Sequence, residues 1–239
     1  DFRDAWPDIF TKNTFFKSML FFLLYPIINF TIRNSFKLTG CAPFFKDFIT
    51  KYSNTFQSKK YTYIPHTYFS NSDIENKLKS SVKNDNKINL IYLGVLSNQR
   101  RIGEFIDFYK SYNDNLKMNL FICGNGDLLE DLKNKYESEN VFFSGYIDLI
   151  TMDSYSIDAN VGIAPYELNE GFVTNVPNKI IEYLYYGLPI ITNLRSNIIS
   201  NLNQNSSSTV VYNYSNCQDL HEHFDVILNN KNNLTVRKK

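Results

Sequence analysis

The sequence predicts an α/β fold in which a parallel sheet carries helices on both faces. From residue 88 onward, short apolar runs alternate with amphipathic stretches that have helical spacing. Several of the apolar runs end in glycine. A further stretch begins at Pro177 and ends at Gly187, which fits the preferred start and stop residues of helices. Strands that alternate with helices indicate βαβ units and therefore a parallel sheet.

The first 70 residues predict an incomplete second Rossmann-like unit that precedes this sheet. A helical pattern covers about 11–36, and a second helix is expected near 44–52. Tyr61 to Pro65 is a short strand that the proline ends. The opening Asp1 to Pro7 is typical of a strand that runs into a loop, so we expect further chain before it.

A polar linker is predicted at 71–87, followed by a domain at 88–216 and a C-terminal helix and tail at 217–239. The expected strands of the domain are 88–94, 118–124, 141–145, 159–164, 190–192 and 210–212. The expected helices are 102–112, 128–136, 148–156, one from residue 178, and 219–228. Ligands of such sheets bind outside the carboxyl ends of the strands. The candidate loops are therefore 94–101, 124–127, 145–148, 165–178 and 193–196.

The composition excludes a strong electrostatic attraction to nucleic acid. The 25 Lys and Arg residues nearly balance the 24 Asp and Glu residues, and the net charge is +1. The three cysteines are odd in number and far apart, which indicates a reducing, cytoplasmic compartment and no disulfide framework.

An apolar run from Met19 to Ile28 is too short to span a bilayer, and Pro26 interrupts it. A buried helix is the favoured interpretation. Lys12, Lys17, Arg33 and Lys37 flank the run, so contact with the inner face of a membrane stays open.

Two adjacent arginines follow the first strand of the domain. Gly94 lets the backbone pass close to a ligand. Arg100 and Arg101 can neutralise a diphosphate through forked hydrogen bonds. The alternative is a solvated helix start, but two cations there oppose the helix dipole. The pattern therefore favours an anion site.

Two other motifs are weaker. The turn from Gly124 to Asp127 contains two glycines of a dinucleotide fingerprint, but the third glycine is absent. His221 and His223 are two residues apart, so on a helix they point to different faces and predict no metal site. For His66, after Pro65, a structural and a functional role stay equally open.

The helix from residue 178 predicts the most specific chemistry. Its first turn offers free N–H groups to an anion, and Glu182, one turn in, can hold sugar hydroxyls. This is the layout of a nucleotide-diphosphate site.

Taken together, these motifs resemble the C-terminal half of a family-4 retaining glycosyltransferase with the GT-B architecture of two Rossmann-like domains. The resemblance covers about 88–195 well, and the N-terminal part resembles the acceptor domain more weakly. It rests on the order and spacing of five segments, namely Gly94 to Arg101, Leu120 to Gly126, Asn140 to Ile147, Tyr155 to Pro165 and Pro177 to Pro189.

The resemblance implies sugar transfer, with retention, from a UDP- or GDP-sugar to a saccharide or lipid-linked acceptor, without a cofactor or metal. It implies that Arg100 or Arg101 holds the diphosphate and that Glu182 binds the ribose. It also implies that the C-terminal helix crosses back to the N-terminal domain. The other residues that it assigns to the donor are Gly94, Gly124, Tyr146, Ile147, Thr174, Asn175, Val176 and Lys179.

Two positions depart from the family pattern. A second glutamate is common eight residues before the ribose-binding one, where this chain has Thr174, and Glu167 and Glu170 lie nearby. An arginine often follows the first glycine, where this chain has Val95. These departures leave open a non-catalytic nucleotide-sugar-binding protein, and a sugar-nucleotide epimerase is a further alternative.

Overall fold

The computed structural model describes residues 15–40, 46–47, 49–50, 61–64, 87–168, 177–195, 197–204 and 210–230. The chain divides into two compact units, one with a two-stranded sheet and the other with a six-stranded sheet. The predicted α/β class is confirmed. The domain boundaries predicted from the sequence stay a prediction.

The first unit contains helix α1, Phe15–Asn34, and strands β1, Leu38–Gly40, and β2, Tyr61–Tyr63. The two strands pair in parallel. Pro26 lies inside α1 without ending it, so the predicted helix forms one piece. Within the described residues, no helix combines the length and apolarity that a bilayer crossing needs. Positions 46, 47, 49 and 50 are helical, as expected near 44–52.

The second unit follows the predicted alternation of strands and helices. Its strands are β3, Ile88–Leu93; β4, Met118–Cys123; β5, Val141–Gly145; β6, Val161–Ala164; β7, Ile190–Thr192; and β8, Val211–Asn213. Its helices are α2, Ile102–Ser111; α3, Leu129–Tyr136; α4, Leu149–Asp158; α5, Asn178–Tyr185; α6, Asn197–Gln204; and α7, Cys217–Asn229.

All neighbouring strands of the larger sheet are parallel, in the order β5-β4-β3-β6-β7-β8. The chain therefore enters the sheet at β3, builds outward to β5, and returns to β6 beside β3 before it builds outward again. The strand order reverses between β3 and β6, and at this topological switch point a crevice forms outside the carboxyl ends of the two strands.

The C-terminal helix α7 belongs to the core of this unit. Leu220, Phe224 and Ile227 are buried. The Phe224 ring packs edge-on against Phe105 and Tyr109 of α2 at 6.4 and 6.1 Å between centroids. The partner that its apolar face needs is therefore α2 of the same unit, and the expectation that this helix crosses back to the N-terminal domain stays a prediction.

Two elements escaped sequence analysis. Helix α6 lies in a polar segment for which sequence analysis predicted no element, and Ile199 is its one buried residue among those described. Strand β1 has three residues, too few to show alternation. Both depend on partners that local periodicity does not reveal.

Candidate functional site

The hydroxyl of Tyr183 joins the carboxyl ends of the two strands that border the crevice. It accepts a hydrogen bond from the Leu93 amide at 3.0 Å and donates one to the Ile163 carbonyl at 3.0 Å. Tyr183 is fully buried, and it extends from the second turn of α5. This contact fixes α5, and with it the functional side chains of its first turns, against β3 and β6.

Lys179 lies in the first turn of α5 and is buried. Its Nζ donates to the Leu93 carbonyl and lies 4.7 Å from the centroid of the Tyr92 ring. Burial, with the nearby Arg100 cation, lowers the pKa of Lys179 from 10.5 to about 8, while Glu182 opposes this shift. Lys179, which the family resemblance assigns to the donor, therefore lies at the carboxyl end of strand β3.

The two arginines after β3 have different surroundings. The Arg100 Cζ lies 4.8 Å from the centroid of the Tyr166 ring, at the carboxyl end of β6. Arg101 is exposed and pairs with Glu104 at 2.6 Å. Arg101 also has a positive φ of 43° and caps α2. The geometry therefore places Arg100, and not Arg101, with the other site residues.

Glu182 lies one turn after Lys179 and is half-buried. Burial raises the pKa of its carboxyl, and the Lys179 cation lowers it by a smaller amount. Its charge also contributes to the raised pKa of Tyr166, so Glu182 lies close to the ring against which Arg100 packs. Arg100, Lys179 and Glu182 thus form one electrostatically coupled group.

Gly94 and Gly124 leave space that a side chain would fill. Both have positive φ, 130° and 155°. A Cβ on Gly94 would collide with the Lys179 ammonium group, and one on Gly124 would collide with the Gly94 carbonyl. The Gly94 amide also donates to the Cys123 carbonyl at 2.9 Å. The two glycines therefore let the loops after β3 and β4 pass close to each other and to Lys179.

Sequence analysis missed the residues that support this group. Asn193, buried after β7, accepts from the Tyr166 amide at 2.9 Å and donates to the Tyr166 carbonyl at 2.7 Å. The Glu167 amide donates to the Gln99 carbonyl at 2.8 Å, which ties the loop after β6 to the loop after β3. The only signal in the sequence was the position of Tyr166 and Asn193 directly after predicted strands.

The remaining predicted residues lie elsewhere or outside the described part. Tyr146 is exposed and Ile147 half-buried, both after β5, two strands from β3. Thr174, Asn175, Val176, Glu170 and His66 lie outside the described residues.

The two histidines of α7 contact different backbone groups. The Nε2 of His221 lies 2.9 Å from the Phe108 carbonyl, and that of His223 lies 2.9 Å from the Asn213 carbonyl. In the described part of the chain, no three His, Cys, Asp or Glu side chains are grouped to hold a metal.

This arrangement of a parallel sheet, a cationic crevice and an acidic residue on α5 agrees with a comparison against known families. The family model described as "Glycosyl transferases group 1" matches residues 73–239. The chain belongs to the group 1 glycosyl transferases. A search of curated proteins finds no match.

Several solved structures share the fold of this group 1 chain. Anabaena HepE, solved with UDP and glucose, has a TM-score of 0.66 at 11% identity, over 98% of this chain and 64% of HepE. WaaG, a glycosyltransferase involved in lipopolysaccharide biosynthesis, has a TM-score of 0.66 at 14% identity, over 96% of this chain and 64% of WaaG. Sucrose-phosphate synthase from Thermosynechococcus elongatus has a TM-score of 0.64 at 16% identity, over 90% of this chain and 54% of the synthase. This chain therefore spans less than two thirds of the length of these proteins.

Proposed function

We propose that the protein transfers a sugar, with retention, from a UDP- or GDP-sugar to a saccharide or lipid-linked acceptor in cell-envelope polysaccharide synthesis. The observation that carries this proposal is the convergence of Arg100, Lys179 and Glu182 at the crevice between β3 and β6. Family membership supports the reaction class, and the likeness to WaaG supports a role in envelope glycans.

The proposed chemistry depends on the departure of a diphosphate from the sugar. Negative charge accumulates on the diphosphate as its bond to the sugar breaks. Fixed cations and the free N–H groups at the start of α5 stabilise that charge without reorganisation. Arg100 supplies a planar guanidinium that binds two phosphate oxygens at once. The reaction so described requires neither a metal nor another cofactor.

Glu182 binds the ribose hydroxyls in this proposal. Its half-buried carboxylate can accept two hydrogen bonds, and a ribose offers two neighbouring hydroxyls. Gly94 and Gly124 let the donor approach the backbone, and the chain around Tyr146 and Ile147 frames the base. Thr174, Asn175 and Val176, which lie outside the described residues, are assigned to the distal phosphate and the sugar by the family resemblance alone.

We place the protein in the cytoplasm, with peripheral contact at the inner membrane face, and nucleic acid is not among its proposed partners. Helix α1 supports the membrane contact because Met19, Leu23, Ile27 and Phe30 are exposed at helical spacing. Flotation with anionic vesicles tests it. Binding that is lost when Leu23 and Ile27 are both replaced by Ser supports the contact, and equal binding contradicts it.

The donor proposal is tested by calorimetry with UDP, GDP, uridine and guanosine. We expect one diphosphate to bind and its nucleoside to bind far more weakly. The absence of binding by either diphosphate contradicts the proposal. Incubation of the complete protein with the donor and an acceptor, followed by NMR of the anomeric proton, tests transfer and retention. Binding without turnover favours the non-catalytic alternative.

A further inference from the structure

Three polar side chains meet at the edge of the packed interface between α2 and α7. Ser111 ends α2, Cys217 begins α7, and His221 lies one turn later on the same face of α7. The Ser111 Oγ is 3.4 Å from the Cys217 Sγ and 3.2 Å from the His221 Nε2, and Sγ and Nε2 are 3.3 Å apart. The three atoms therefore form a nearly equilateral triangle, and none of them belongs to the candidate donor site.

Hydrogen bonding alone explains this cluster poorly. A thiol is both a weak donor and a weak acceptor of hydrogen bonds. Ser111 is exposed, and Cys217 and His221 are half-buried, so water can bond to all three side chains. Their mutual contacts therefore contribute little to stability. By contrast, thiolate sulfur and imidazole nitrogen are the protein ligands that zinc prefers. The residue types favour a set of metal ligands.

The spacing of the three atoms suits a single metal ion. Zinc bonds to sulfur at about 2.3 Å and to nitrogen or oxygen at about 2.0–2.2 Å. Ligand atoms around one tetrahedral zinc ion are therefore about 3.3–3.7 Å apart, close to the 3.2–3.4 Å within the cluster. Cys217 and His221 are also four residues apart on one helix, the spacing with which two histidines hold zinc in metalloproteases. An ion that caps the triangle keeps its fourth position for water.

The surroundings hold the ligands in place and favour a cation. The His221 ring contacts the rings of Tyr112 and Phe224, at 5.2 and 6.4 Å between centroids. The Ser111 hydroxyl donates to the Phe108 carbonyl at 2.8 Å, which leaves its oxygen lone pairs available to a metal. Helix α7 contains three carboxylates and neither Lys nor Arg, so its charge attracts a cation.

We propose that Ser111, Cys217 and His221 form a binding site for zinc or a similar divalent ion that prefers sulfur and nitrogen ligands. The Cys217 thiol releases its proton to water and binds as thiolate. The His221 proton that faces the Phe108 carbonyl, 2.9 Å from Nε2, moves to Nδ1, and Nε2 binds the ion. Ser111 is the third and weakest ligand. The bound ion joins the start of α7 to the end of α2, and so stabilises the packing of the C-terminal helix on its unit.

The first test is calorimetry of zinc chloride binding in a buffer that does not chelate metals. The proteins are native, Cys217→Ser, His221→Gln and the control His223→Gln, which alters the other histidine of α7, at the Asn213 carbonyl. Native protein and the control should bind one ion per chain. Loss of a residue that only orients a ligand costs about 10–100-fold in metal affinity, so the two ligand variants should lose at least about tenfold.

Three results of this titration overturn the proposal. They are the absence of zinc binding by native protein, equal affinity of native protein and both ligand variants, and one ion per two chains. The last result would mean that a second copy, and not Ser111, completes the site. None of them bears on the donor proposal, because the diphosphate titrations use other residues.

The second test uses the native fold and identifies the sulfur ligand. Cobalt bound to a thiolate shows charge-transfer absorption in the near ultraviolet, and native protein with cobalt chloride should show this band. A native spectrum without the band, or a band of equal strength in Cys217→Ser, overturns the assignment of Cys217. Zinc should also raise the melting temperature of native protein but not that of Cys217→Ser, because it binds the folded state alone. An unchanged melting temperature of native protein overturns the link between α2 and α7.

Discussion

The ammonium group of Lys179 occupies the space that a side chain on Gly94 would need. The two residues are 85 positions apart in the sequence, yet the Lys179 side chain fits in its position only because Gly94 has no Cβ. Their contact joins α5 to the carboxyl end of β3, which borders the point where the strand order reverses.

Gly94→Ala should destabilise the protein by about 1–3 kcal/mol, the cost of holding a non-glycine residue in a conformation with strongly positive φ. Displacement of Lys179 adds to this cost. In a Lys179→Ala background the collision disappears, so Gly94→Ala should cost less there. Urea unfolding of the four proteins in this double-mutant cycle measures the coupling. Strict additivity would show that the two residues do not compete for space.

Lys179→Met should stabilise the empty protein at pH 7 while weakening diphosphate binding. The pKa of Lys179 falls from 10.5 to about 8 on folding, so its charged form costs up to about 3 kcal/mol. The folded state binds fewer protons between these values, and this contribution to stability rises with pH from about 8 to about 10.5. The advantage of the variant should therefore shrink over that range. Urea unfolding of both proteins at pH 7 and 10 checks this, and a constant difference contradicts it.

Arg100→Gln and Arg101→Gln form a matched pair on adjacent residues. Arg100 packs against Tyr166 near the crevice, whereas Arg101 pairs with Glu104 at the surface. Loss of Arg100 should weaken diphosphate binding by about tenfold or more, as loss of a charged hydrogen bond does. Loss of Arg101 should leave it nearly unchanged. Calorimetry with the diphosphate decides, and equal losses would contradict the separation of roles that the geometry indicates.

Glu182→Gln should remove the preference for ribose over deoxyribose. If the carboxylate accepts from the ribose hydroxyls, native protein should bind UDP or GDP about tenfold more tightly than the 2′-deoxy analogue. The variant should bind both with similar, lower affinity. Its circular dichroism spectrum should stay native because the side chain is only half-buried. An unchanged ratio between the two ligands in the variant would remove Glu182 from the ribose site.

Tyr183→Phe should destabilise the fold by about 1–3 kcal/mol, since it leaves the Leu93 amide and the Ile163 carbonyl without the hydroxyl between them. The control is Tyr146→Phe, because that side chain is 81% exposed and its hydroxyl stays in water. Urea unfolding compares the two variants with the native protein. Equal stability of all three would show that the hydroxyl does not hold β3 to β6.

Most of the larger sheet could be predicted from the sequence because its signals are local. The run from Ile88 to Leu93 is apolar at every position except Asn89, and every residue except Asn89 is buried, as expected for a strand covered on both faces. Pro177 and Gly187 mark where α5 begins and ends, with Glu182 one turn inside. Such patterns depend on neighbours within a few residues, so they hold before the chain folds. They also placed Gly94 and the two arginines after β3.

Only the tertiary structure decided which of these residues act together. The strand order brings the end of β6 beside the end of β3, and this places Tyr166 against Arg100 and Tyr183 against Leu93. No pattern in the segment after β3 distinguishes Arg100 from Arg101, because both are cations at the start of the same helix. The burial of Lys179 likewise depends on a glycine 85 residues away. Contacts between distant segments of the chain determine how far a side chain is buried and which charges lie near it. The linear sequence does not show which segments come into contact.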